Sequence, residues 1–238
     1  MKKILNKFIS QSGFCSRRQA EVFIKEGKVF VNGKLAEPGI KVEESDEVRV
    51  GNKIIKNRKD KIYIILNKPI GYVCTNRRFK NEKNVFDLLP RKVLKNNKLF
   101  VVGRLDKESR GLILLTNDGD LTQKITHPKY KHEKKYLVKT DISKNPSAQE
   151  VENIIKNFKK GVFIGEGDGK VRAKEAKYVG NQVFDIILTQ GKKRQIRRMF
   201  ESLGYKTTDL FRYELGNFNI KNLPSGKWKE ISLKNSLN

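Results

Sequence analysis

VVGRLDKESRGLILLTNDGDL, residues 101–121, places one aspartate beside an arginine in a short polar loop between two apolar runs. The runs, Leu99 to Val102 and Leu112 to Leu115, have the length and aliphatic content of buried strands. The same pattern recurs outward: IYIILNKP, KKYLVKT and QVFDIILTQ read as further strands, with few helices between them. Long strands with sparse helices favour an antiparallel or mixed α+β sheet over a βαβ alternation. Asp106 in the loop has three ordinary readings. It can form a turn, pair with Arg104 or Lys107 at the surface, or join a metal cluster with Asp118 and Asp120. Asp118 serves equally well as the cap of a helix running to about Ile125.

The chain has 238 residues, room for one or two domains with hydrophobic cores, and its 37% of hydrophobic residues fall in periodic runs. A net charge of +26 opposes compaction and points to a polyanionic partner. A compositional solubility bias is the plain alternative. An acidic membrane surface fits less well, since no basic amphipathic helix with an aromatic face stands out. No apolar run approaches the roughly 18–20 residues of a membrane span. MKKILNKFIS is interrupted by Asn6, Lys7 and Ser10 and makes a poor signal peptide. Cys15 and Cys74 lack metal-ligand spacing and, with His127 and His132, do not suggest a zinc site. A reducing cytoplasm fits this cysteine usage.

Residues 1–58 read as a small helix-helix-hairpin unit. Ile4, Leu5, Phe8 and Ile9 have helical spacing, ending at Gly13. Ser16 and Gln19 form a capping-box pattern ahead of a helix stopped by Gly27. KVFVNGKL turns at Asn32-Gly33, a strong hairpin signal, and VRVGNKII supplies two more extended runs. KNRKDK, residues 56–61, is the expected boundary and a flexible linker. Residues 59–238 form the second unit. There NVFDLLP reads as a short helix, residues 147–160 as an amphipathic helix, VRAKEAKYV as a strand and KKRQIRRMFESLG as a basic helix stopped by Gly204.

The first unit resembles the small RNA-binding module named after ribosomal protein S-four, carried by LNKFISQSGFCSRRQAEVFIKEGKVFVNG. Arg17 and Arg18 lie in the first turn of the second helix, where backbone amides and the helix dipole already favour phosphate. Lys7, Lys25, Lys28 and Lys34 are expected to share that face.

GRLDKESRGLILLTNDGDL resembles the active-site segment of bacterial ribosomal-RNA pseudouridine synthases of the Rsu type. LNKPIGYVCT, VFDLLP, HPKYKHEKKYLV and GKKRQIRRMFESLGY agree in order along the chain. The resemblance implies a uridine isomerase acting on RNA without cofactor or metal, with its cleft crossing a central antiparallel or mixed sheet. It makes Asp106 the essential carboxylate, Tyr136 the ring lying against the target base, and Arg197 the partner of Asp106. An arginine beside a carboxylate favours its charged form when a pocket closes over it. Arg104 is expected to help hold the flipped-out state, and Arg194 and Arg198, with Lys192 and Lys193 nearby, to clamp the RNA backbone. The expected partner is ribosomal RNA or a ribosome assembly intermediate, more in the manner of the large-subunit members, with the protein a monomer. The rival readings are a non-catalytic rRNA-binding or assembly protein and a small-subunit rRNA substrate.

Overall fold

A computed structural model describes residues 2–56, 60–165 and 167–233. The N-terminal unit packs α1 (Leu5–Gln11) and α2 (Arg17–Lys25) over a sheet of β2 (Val29–Val31), β3 (Lys34–Leu35), β5 (Val48–Val50) and β6 (Lys53–Ile55), in the order β3-β2-β5-β6. A small ladder joins β1 (Lys3–Ile4) to β4 (Lys41–Val42), so Ile4 is extended rather than helical. Ser16 Oγ accepts from the Gln19 amide at 3.2 Å, as its pattern anticipates. Asn32 and Gly33 take φ of 49° and 78°, the left-handed pair of a two-residue hairpin. Leu5, Phe8, Ile9, Ile24, Val29 and Val48 close the core.

Downstream come β7 (Tyr63–Lys68), α3 (Arg91–Asn96), β8 (Phe100–Val102), β9 (Arg110–Thr116), α4 (Gly119–Thr126), β10 (Lys134–Thr140) and α5 (Ala148–Lys160). These are followed by β11 (Val162–Phe163), β12 (Lys170–Val171), β13 (Glu175–Gly180), β14 (Val183–Leu188), α6 (Gln195–Glu201), β15 (Thr207–Leu215), β16 (Phe218–Asn219) and β17 (Trp228–Glu230). One sheet runs β13-β14-β10-β15-β9-β7-β17, with β8 also on β9 and β16 on β15. Its contacts are antiparallel except at β15 and β9, which run parallel and pair only through Phe211 with Arg110 and Arg212 with Gly111. Ile64 and Leu66 face a core shared with α5 and α6, while Tyr63 and Ile65 face one shared with α4. Both faces are therefore covered.

Several expectations shift in detail. The VRAKEAKYV run breaks after Val171, because Val171 pairs with Val162 and the Ala173 amide donates to the Phe158 carbonyl at 2.9 Å. NVFDLLP is a single 3-10 turn capped by Asn84. The basic helix starts only at Gln195, since Arg194 is left-handed with φ of 53°. The boundary between residues 58 and 59 lies outside the described residues. Among the described residues, Lys61 pairs with Asp118 at 2.9 Å, and Lys7 of the N-terminal unit pairs with Asp120 at 2.6 Å.

Asp118 caps α4 through the amides of Asp120 (3.0 Å) and Leu121 (3.2 Å), and accepts from the Tyr63 hydroxyl at 2.9 Å. Burial alone would raise its carboxyl pKa, but Lys61, the Leu121 amide and Tyr63 outweigh burial and hold it below the ordinary range. A depressed carboxyl contributes stability above the unfolded value of about 3.9 and loses it as pH falls through the folded value. Asp118→Ala is expected to cost about 1–3 kcal/mol in urea unfolding at pH 7. The gap to wild type should narrow below about pH 4; a gap constant with pH would show that the charge contributes nothing.

Candidate active site

One edge of β9 pairs with β7 along its length, while the other is shared between two partners. β15 takes Arg110 and Gly111, and β8 takes Leu114 to Thr116. The loop 103–109 leaves and re-enters the sheet at this handover, and it carries Asp106. A buried irregular loop cannot leave its carbonyls unpaired. Here three buried basic side chains satisfy them. Arg212, 1% exposed, donates from Nε to the Leu112 carbonyl at 2.9 Å, and from its two terminal nitrogens to the carbonyls of Gly103 and Arg104. Lys68, 0% exposed, donates to the carbonyls of Pro69 (3.0 Å), Lys107 (3.3 Å) and Ser109 (2.5 Å). Arg197 donates to the carbonyls of Thr207 (3.0 Å) and Glu108 (3.2 Å), and to Ser109 Oγ at 3.4 Å.

Among the described residues none of the three has a carboxylate within ion-pairing distance, so carbonyl dipoles do the compensating that burial demands. Burial pushes the Lys68 ammonium pKa down, with Cys74, Glu108 and Asp106 opposing the shift. Burial, then Arg194, does the same to Arg197. The loop thus rests on a positively charged floor. Its approach to β15 requires glycine at 111. There φ is 111° and an added Cβ would lie 2.2 Å from the Arg212 carbonyl oxygen.

Above this floor opens a cleft of about 770 Å³. Tyr136, projecting from β10 and 7% exposed, lines it with Leu188, Arg104 and Asp106. Eight basic side chains line the same cleft, and Asp106 is its one carboxylate among the described residues. A cationic cleft with a single half-buried acid can hold a polyanion and present one oxygen nucleophile or base to it. Asp118 and Asp120 are engaged at α4, Asp118 in capping and Asp120 with Lys7, so they do not converge with Asp106 on a metal.

The structure brings Asp106, Tyr136, Arg197, Arg104 and Arg194 to this cleft. Two expected roles change. Arg197 makes no ion pair with Asp106 among the described residues, because its terminal nitrogens are spent on the loop backbone and Thr207. Its Nε is buried without a partner. Arg198 does not line the cleft. Its guanidinium holds Asp168 at 2.6 Å and the Ile164 carbonyl, tying α6 to the β11–β12 hairpin. Arg194 reaches Glu108 at 3.1 Å. In the small module, Lys25 and Lys28 pair with Glu21 (3.6 Å) and Glu26 (2.8 Å), and Lys34 is exposed on β3. Only Lys7 and Arg17 of the expected basic face line a shared groove. Arg18 is exposed beside Arg17.

Lys68 and Arg212 were not singled out from the sequence. The sequence signal for Lys68 is its place at the end of the strand-like run IYIILNK; the structure buries all six residues of β7 (Tyr63–Lys68). Arg212 had none, since it sits in an ordinary alternating strand.

Residues 62–202 match the model of the RNA pseudouridylate synthase family, and residues 5–48 match the S4 domain. The chain is 42% identical over 232 residues to the dual-specificity RNA pseudouridine synthase RluF of Salmonella typhi, covering 96% of this chain and 75% of that protein. It is 35% identical over 237 residues to ribosomal large subunit pseudouridine synthase B of Bacillus subtilis, covering 96% and 91%. A crystal structure of a pseudouridylate synthase superposes with a TM-score of 0.67 at 28% identity, covering 96% of both chains. The family match and the matched S4 domain, on this fold, make the chain an RNA-acting isomerase with an appended RNA-binding module. The chain belongs to the RNA pseudouridylate synthase family.

Proposed function

We propose that this enzyme isomerises a specific uridine of ribosomal RNA, in the large subunit, with Asp106 as the essential carboxylate. The observation that carries the reading is the single acid in a cleft of eight basic side chains, on a loop suspended by its carbonyls. The name of the Bacillus subtilis relative supports the ribosomal large-subunit substrate, and that of the Salmonella typhi relative an RNA substrate. The target base must leave its stack, at a cost of a few kcal/mol. Tyr136 offers a face for it, and stacking of this kind contributes about 1–3 kcal/mol. Arg104, exposed at the cleft wall, fills the vacated position. The C1′–N1 bond then breaks with help from Asp106, the uracil turns, and C1′ bonds to C5. N1 gains a proton and the C5 hydrogen leaves to solvent.

Arg197 sets the loop that aims Asp106, and its unpartnered Nε–H is the donor left for the carboxylate or substrate when RNA closes the pocket. Arg197→Ala is expected to depress turnover at saturating RNA far more than affinity, by about 10²-fold or more. Equal losses in both would make Arg197 a phosphate contact. Lys192, Arg194 and the module's Arg17 and Arg18 hold the backbone. We assign residues 1–58 to RNA anchoring and 59–238 to catalysis, in a cytoplasmic monomer acting on rRNA or an assembly intermediate.

The test uses rRNA transcripts tritiated at C5 of uridine. Tritium released into water by wild type, and unaffected by EDTA, establishes the isomerase. No release from large-subunit RNA or its assembly intermediates, with binding intact, would favour a binding protein.

A further inference from the structure

The joint between the small module and the catalytic unit is polarised in charge. Two grooves meet there, divided by the contact of Gln11 Nε2 with Asp120 Oδ2 at 3.2 Å and the Lys7–Asp120 pair. One groove is lined, among the described residues, by six carboxylates, including Glu44, Asp46, Glu47 and Asp60, against three lysines, Lys3, Lys56 and Lys61, and so keeps an excess of acid. The other, of about 960 Å³, is lined by Lys7 and Arg17 from the module and by Arg78 and Lys98 from the catalytic unit. It has no carboxylate in its lining among the described residues; its other polar groups include hydroxyls and amides such as Ser16, Asn76 and Gln123. In a chain of net charge +26, acids gathered on one side of a joint repel a polyanion there and leave the opposite side as its path.

That path leads to the catalytic cleft. Thr122 and Thr126 of α4 line both the active-site cleft and the basic groove, so one helix forms a wall of each. We propose that the groove holds the sugar-phosphate backbone of the RNA flanking the target uridine, with Arg78 and Lys98 as phosphate contacts opposite the module. The inference rests on the proposed RNA substrate and extends it: the module is one wall of a track, where a flexible linker would make it a tether. The Lys98 ammonium, bonded to the Phe14 carbonyl, already spans the joint. The Arg78 guanidinium holds Asp87 through one nitrogen, leaving its other N–H groups for phosphate.

The experiment measures affinity of the full-length protein for an rRNA fragment that wild type turns over. Salt is varied from about 50 to 200 mM, where each phosphate contact contributes about 0.7–0.9 to the slope of log K against log salt. Arg78→Gln with Lys98→Gln is expected to lower that slope by about 1.4–1.8. Lys156→Gln with Lys159→Gln, the same charge loss on the remote helix α5, should leave it at the wild-type value. Arg78→Lys with Lys98→Arg should restore it, which separates charge from misfolding. A groove pair with the wild-type slope, or one that matches the α5 pair, would overturn the proposal. Absence of tritium release by wild type would instead strike the proposed function, so the two failures are distinguishable.

Discussion

Asp106→Asn is expected to reduce tritium release to below about 10⁻³ of wild type, the scale on which removing a reacting group acts, while RNA is still bound. The substitution keeps the side chain's shape and removes its charge. The loop holds its course through backbone carbonyls bonded to Lys68, Arg197 and Arg212, none of which involves the Asp106 side chain. Loss of activity therefore reports on the carboxylate itself. Affinity should survive, since the eight basic groups of the cleft are untouched and the single repulsive charge is gone. Substantial turnover by the asparagine enzyme would remove Asp106 from the reaction and reopen its turn-forming reading.

Lys68→Met carries the second large effect. Methionine fills much of the volume but leaves the carbonyls of Pro69 and Ser109 without their ammonium donor, at about 1–3 kcal/mol each, while the Lys107 carbonyl keeps the Gly71 amide at 2.8 Å. Some of this relaxes, so we expect a loss of about 2–4 kcal/mol in urea unfolding, the scale of two buried carbonyls left without a donor. Turnover should fall further than stability requires, because Lys107 and Ser109 bracket the loop that aims Asp106. Arginine is not expected to rescue it, since a planar fork cannot reach three carbonyls set around one ammonium. A variant with wild-type stability and turnover would show that the loop is held by Arg197 and Arg212 alone.

Much of this protein was legible because its decisive features are local. The Asn32-Gly33 hairpin, the Ser16 and Asp118 caps, and the two strands flanking the Asp106 loop each follow from a few adjacent residues. Propensity and turn chemistry act over that range. The basic helix begins three residues later than its sequence pattern suggests, because nothing local announces that Arg194 adopts a left-handed backbone. Arg198 looked like a backbone clamp by its neighbours. The Asp168 carboxylate that captures it lies thirty residues away in sequence.

By itself the sequence determined the α+β class, the identity of Asp106 and Tyr136 as candidate site residues, and the partner's charge, through motif order and a net charge of +26. Only the tertiary structure decided what supports the site. Lys68, Arg197 and Arg212 converge because β9 gives part of one edge to β8 and part to β15. The carbonyls left at that handover must find donors from strands and helices far along the chain. Long-range pairing sets those partners, and no local pattern encodes which distant cation will be buried against which carbonyl.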